Sequence, residues 1–219
     1  MRFKLLAGIM AFLLLVWTMA SFPGMQADTA VAATGNPLTV VGLYSETGAG
    51  NVSYRVGTAN WVIVKVGDQI PENAEIRINV DRDWIEVIPS NNSNSVYELN
   101  GSGGVPLNKK VADLLKEKPR TVNFPKADSK ADSKFANKVV VKQYLGRQVY
   151  QPAKGEEWTD IKYGHVLKST GNVNIIGINN TLILVTPDGK ETKVIGPLKF
   201  SIKDLLAGKN LYKYMNVTK

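Results

Sequence analysis

The sequence predicts a mainly β protein: two tandem duplicated β-sandwich or β-roll-like modules, each closed by a short C-terminal helix. Three observations predict it. First, WVIVKVGDQI (Trp61–Ile70) lies over WTDIKYGHVL (Trp158–Leu167) at an offset of 97 residues, with the Trp, Lys and Gly positions identical. Second, PLNKKVADLL (Pro106–Leu115) lies over PLKFSIKDLL (Pro197–Leu206) at an offset of 91. Third, short runs rich in β-branched residues, such as Val173–Ile176, Thr181–Val185 and Lys190–Ile195, are separated by turn residues, the signature of strands. Two repeated blocks in the same order indicate a repeated unit. The change of offset falls in loops, where insertions cost little.

From the N-terminus, MRFK precedes the apolar run Leu5–Ala20, then Pro23-Gly24 and a tail of small residues. This is the order of a secretory signal peptide over residues 1–33, with cleavage expected after Ala33. The first module, 34–118, begins with the strand LTVVGLY (Leu38–Tyr44) and continues through EIRINV, WIEVI and VYELN. A stretch rich in Lys, Asp, Ser and Ala, with KADS twice in tandem at Lys126–Ser133, reads as a solvated linker over 119–137. The second module, 138–219, opens with KVVVKQYL and carries the hairpin TLILV–TPDGK–ETKVI, whose Pro187-Asp188-Gly189 presets a tight turn. Leu107, Val111, Leu114 and Leu115 fall at helical spacing, as do Leu198, Ile202, Leu205 and Leu206, so each predicts a helix packed on its own module. Pro119 and Gly208 are the expected stop signals.

Composition excludes several chemistries. The chain has no cysteine, which removes disulfides, Cys-ligated metals and thiol nucleophiles. It has one histidine, His165. Under the 97-residue offset it occupies the place of Asp68, and Asp160 occupies that of Ile63, so no acid–base pair recurs. His165 is therefore expected at an exposed turn, with no catalytic or metal role. Asp81-Arg82-Asp83 is the acidic turn most able to take a cation, but it lacks the ligand spacing of a calcium loop and is expected to be solvated. Asp113 and Asp204 are repeated acids at the helix ends. No catalytic, cofactor-binding or metal-binding residue is predicted, and the chain is expected not to be an enzyme.

The net charge is +8, and +7 once residues 1–33 are removed. The basic residues are dispersed, and no nucleic-acid motif accompanies them. Lys109, Lys110, Lys116, Lys118 and Arg120 form the densest run. They are first candidates for an anionic polymer, either peptidoglycan or polysaccharide, or for a membrane surface. The membrane is otherwise expected only through the leader, if uncleaved. Trp84 and Tyr97 are the first candidates for an exposed aromatic patch.

The frame W-x(5)-G-[DH]-x-[IL], followed by alternating strands and a PDGKE-type hairpin, resembles the FecR-like domain of bacterial envelope proteins. The matching residues are Trp61, Gly67, Asp68, Ile70, Ile76 and Ile78, then Trp158, Gly164, Leu167, Val173, Ile175, Pro187, Asp188 and Gly189. The resemblance implies two tandem extracytoplasmic β modules that make protein contacts. The expected protein is a non-enzymatic adaptor, sensor or scaffold, exported to the periplasm or cell surface, whose partner is an envelope or outer-membrane protein. The family pattern transfers no ligand residues.

Overall fold

The computed structural model describes residues 35–45, 51–125 and 135–212. The expected leader and the KADS repeat lie outside them. The described chain is mainly β, in two sheets. Its elements are β1 (Leu38–Tyr44), β2 (Val52–Val56), β3 (Val62–Ile63), β4 (Gln69–Ile70), β5 (Ala74–Ile78), β6 (Trp84–Pro89), β7 (Ser95–Asn100), β8 (Leu107–Lys110), α1 (Val111–Leu114), β9 (Arg120–Thr121), β10 (Lys138–Gln151), β11 (Thr159–Asp160), β12 (Val166–Lys168), β13 (Asn172–Val185), β14 (Glu191–Ile195), β15 (Leu198–Ser201) and α2 (Ile202–Leu206).

The larger sheet has 11 strands, with the path β14-β13-β10-β1-β6-β7-β9. Its central pair, β1 with β10, is parallel, with Gly42 opposite Tyr144 and Leu43 opposite Leu145. The other pairings are antiparallel. The smaller sheet runs β3-β2-β5-β8.

The ladders of the N-terminal half recur in the C-terminal half. β1 pairs with β6 through Val40–Val87, Gly42–Glu86 and Leu43–Ile85, with a bulge after Val40. β10 pairs with β13 through Val141–Leu184, Gln143–Ile183 and Tyr144–Leu182, with a bulge after Val141. β5 meets β8 through Ile78–Leu107, and β13 meets β15 through Ile175–Leu198. Gly67 N–H donates to Val40 O at 2.8 Å and Gly164 N–H to Val141 O at 2.7 Å. Both glycines have positive φ, +95° and +72°, a conformation that carries a steric cost for other residues.

The halves differ in continuity. β1 and β2 are separate strands, whereas β10 runs unbroken for 14 residues. β5 and β6 are likewise separate, whereas β13 is continuous. Gly146 and Gly177, at φ +83° and +101°, stand at register shifts or bends in these long strands and let the backbone turn without breaking the element.

Two apolar cores lie on opposite faces of the large sheet. On β1, Leu38, Val40 and Leu43 belong to one core, and Val41 and Tyr44 to the other. On β6, Ile85 and Val87 face the first core, while Trp84 and Ile88 face the second. Side chains alternate across a strand, with the bulge resetting the parity on β1. The back of the N-terminal half is thus covered by the core of the C-terminal half, which also holds Tyr144, Tyr163, Leu182 and Phe200. Each fully buried Leu, Ile or Val contributes roughly 1.5–3 kcal/mol of hydrophobic stabilisation.

Three sequence expectations change. The helical spacing that begins at Leu107 and Leu198 belongs to strands for its first four residues, β8 and β15, and only then to α1 and α2. Leu198, Phe200 and Ile202 also satisfy a period of two. The open edges of β5 and β13 give this backbone partners that a four-residue extension of the helix would forgo. α2 is capped by Ser201, whose Oγ accepts from Asp204 N–H at 3.1 Å. Gly208 follows it with φ +66°, as a C-terminal stop requires.

The stretch expected as a solvated linker is also ordered where it is described. Arg120–Thr121 pairs with β7, and Val122, Pro125 and Phe135 are buried. Val122 and Phe124 supply the apolar surface that draws this segment onto the second core. Trp84 and Tyr97 form no exposed patch: Trp84 stacks on Tyr44 at 3.7 Å, and Tyr97 packs against the first core.

Candidate interaction surfaces

The turn that follows β11 carries Tyr163 and His165. It holds the two halves together. Glu86, on β6, is fully buried and faces the second core. Its Oε2 accepts from Tyr163 N–H at 2.8 Å and its Oε1 from Arg120 Nη2 at 2.5 Å. Tyr144 also hydrogen-bonds the carboxylate, and its oxygen accepts from Trp84 Nε1 at 2.7 Å. Arg120 Nη1 donates to Tyr163 O at 2.8 Å. Lys162 reaches Glu98 at 2.7 Å and lies 5.6 Å from the Trp84 ring.

Burial pushes the Glu86 carboxyl above the usual carboxylate range, although Tyr163 N–H and Arg120 pull the other way. Burial also raises the Tyr163 phenol to about 12 and the Tyr144 phenol well above its ordinary value, with the Glu86 charge adding to both. These phenols stay protonated as donors near neutral pH. The cluster is a satisfied polar joint. Sequence reasoning missed it because Glu86 and Tyr163 lie 77 residues apart.

His165 is half-buried, not exposed at a turn as expected. Its ring packs edge-on against Tyr150 at 6.3 Å, and Nδ1 is buried without a hydrogen-bond partner. Asp160 is exposed on β11. Burial holds the His165 pKa below the ordinary histidine value, with Arg120 and Lys162 adding to the shift. A proton is therefore bound more weakly in the folded state than in the unfolded one. The resulting stability is present above about pH 6.5 and is lost as pH falls below it. Glu86, with its raised pKa, acts in the opposite direction: its contribution is present at low pH and lost as pH rises through its folded value. Urea titrations of wild type and His165→Gln at about pH 7 and about pH 5 separate the two. The stability loss on acidification is expected to be smaller in the variant.

The other candidates are engaged in local structure. Asp83 is not solvated: it is fully buried and accepts from Ser45 Oγ and Asn51 Nδ2, both at 2.9 Å. Among the described residues, no group of three or more acids or histidines is placed to hold a metal. Asp113 pairs with Lys116 and Asp204 with Lys209. Lys109 pairs with Glu117, and Arg120 with Glu86, so the densest basic run is partly neutralised.

The exposed apolar side chains are more informative. Ile176, Ile178, Ile195 and Tyr212 are 38%, 79%, 43% and 43% exposed. Several contacts gather them at one corner. Gly196 N–H donates to Asn180 O at 2.8 Å, and Ile195 N–H donates to Tyr212 Oη at 2.8 Å. Ile178 stands at the bend of β13 between Gly177 and Asn179, both with positive φ. In the N-terminal half the positions of these isoleucines hold Asn79, Asp81 and Asn100, with Val105 the exposed apolar side chain there, at 40%. Beside the apolar corner opens a pocket of about 320 Å³, lined in part by Val194, Leu205, Leu211 and Tyr212.

No family model, curated protein or solved structure matches the chain.

Proposed function

We propose that the chain is an exported, non-enzymatic cell-envelope protein, built from two FecR-like copies and acting as a protein–protein adaptor or scaffold. The recurrence of ladders, bulges and turn glycines at the offsets of the sequence repeat supports the duplication. It also fits the FecR-like resemblance, whose Trp, Gly and strand positions are those that recur. The leader-like N-terminus supports export. The observation that carries the adaptor reading is the apolar corner of the second copy. At corresponding positions one copy has Asn79, Asp81 and Asn100, and the other Ile176, Ile178 and Ile195. Exposed apolar side chains beside a pocket suit a protein contact, and the pocket would take an anchoring side chain. β14 ends the path of the larger sheet and offers backbone groups to the same partner.

The test places the first copy's polar residues in the second copy. Ile178→Asp with Ile195→Asn is compared with wild type in affinity capture from envelope extract at high salt. The variant is expected to lose at least tenfold of the captured partner, the loss of about 1.4 kcal/mol or more, while its urea midpoint stays near wild type, because both side chains are exposed. Equal capture by both proteins defeats the reading.

A further inference from the structure

The outer face of the smaller sheet carries a second, chemically different surface. On β5, Ala74, Ile76 and Ile78 are buried, so Glu75 and Arg77 point the other way. Ser53 and Asn108 stand opposite Arg77, and Arg55 and Lys110 stand opposite Glu75, so these side chains share the face. The Arg55 and Arg77 guanidiniums lie 4.5 and 5.0 Å from the centre of the Trp61 ring. Arg55 is committed to Glu75 at 2.8 Å. Arg77 has no ion pair among the described residues, and its Nε has no hydrogen-bond partner. Three cations thus face one carboxylate, and the indole holds one guanidinium in place without neutralising it.

The corresponding face of the C-terminal half repeats the ring and changes its surroundings. Trp158 is 37% exposed, with Lys199 at 5.1 Å from its ring. Asn174 stands opposite Lys199, and Asn172 opposite Ser201 and Gln151. Amides and hydroxyls both donate and accept, which suits a ligand rich in hydroxyl groups. The indole plane offers an apolar surface with a negative face to the C–H groups of a sugar ring.

We propose that these two tryptophan faces bind an acidic polysaccharide, with a carboxylate of the chain on Arg77 and neutral sugar hydroxyls on the amides around Trp158. This surface is separate from the apolar corner. The half-buried Arg77 guanidinium, with no ion pair among the described residues and its buried Nε unpartnered, selects for an anion, and the amide-rich second face selects for sugar over an acidic polypeptide. Neither face uses the buried joint, so both are available in the folded protein.

Affinity electrophoresis of the purified full chain tests this, in gels containing polygalacturonate, dextran or polyglutamate, with phosphatidylglycerol vesicles assayed by sedimentation. Retardation is expected with polygalacturonate, less with dextran and less with polyglutamate. Arg77→Gln is expected to weaken the polygalacturonate effect about tenfold, as removal of one charged hydrogen-bonding group does, with an unchanged urea midpoint. Trp61→Ala and Trp158→Ala are expected to weaken it too. Ile178→Asp with Ile195→Asn should leave it intact, which separates this site from the protein-binding corner. Equal retardation by polyglutamate, binding to vesicles alone, or wild-type retardation of Arg77→Gln overturns the proposal.

Discussion

Glu86→Ala is expected to cost roughly 3–5 kcal/mol of unfolding free energy, chiefly because it leaves buried donors without an acceptor. The buried Tyr163 N–H and Tyr144 O–H each lose an acceptor, and an unsatisfied buried donor costs about 1–3 kcal/mol. Arg120 adds little to this sum, because its side chain is 41% exposed and water can take over its contact. Glu86→Gln is expected to lie within about 1 kcal/mol of wild type, since a neutral replacement escapes the burial of charge and keeps an acceptor. Urea denaturation followed by tryptophan fluorescence measures both, with Trp84 in the joint as reporter. A cost below about 1 kcal/mol for the alanine variant means that apolar packing alone holds the halves together.

Gly164→Ala is expected to be nearly as damaging, at about 3 kcal/mol. Two terms add. A non-glycine residue at φ +72° costs roughly 1–2 kcal/mol. A Cβ there also runs into the side chain of Val122, and such overpacking costs about 1–3 kcal/mol. Gly67→Ala at the corresponding turn is the control. Its φ is +95°, but its Cβ would find only Gln143 Nε2, at 4.0 Å, so only the backbone cost of about 1–2 kcal/mol remains. Equal losses in the two variants mean that the Gly164 turn does not bear on the segment after α1.

Strand positions were legible in the sequence because turn glycines and alternating apolar residues report local geometry. Gly67 and Gly164 mark turns of the same hydrogen-bonding pattern, and Ile76 and Ile78 alternate with Glu75 and Arg77 as the pleat requires. The helices were overextended because four residues of a period-two strand joined to one helical turn mimic a longer helical stripe. The joint was not legible. It is made by Glu86, Arg120, Tyr144 and Tyr163, whose meeting depends on the parallel pairing of β1 with β10, and no local pattern encodes that pairing. The Trp61 face was half legible: the tryptophan stood out as a repeated residue, but its two guanidiniums come from β2 and β5 and meet only through strand register. The apolar corner was visible as sequence but unremarkable until Ile176, Ile178 and Ile195 proved to be exposed.

The parallel central pair also governs which strands can exchange between molecules. Leu43 and Tyr144 hold corresponding ladder positions, as do Glu86 and Ile183. If two N-terminal halves from separate chains met along β1, leucine would stand where Tyr144 stands, and each Glu86 would lose a donor. If two C-terminal halves met along β10, isoleucine would stand where Glu86 stands, and each buried Tyr144 hydroxyl would lose its acceptor. Like halves therefore reject one another, and unlike halves fit. Within one chain the unlike partner is always tethered nearby, at a high effective concentration. Any exchange between molecules is therefore expected to take the form of head-to-tail swapping of whole halves.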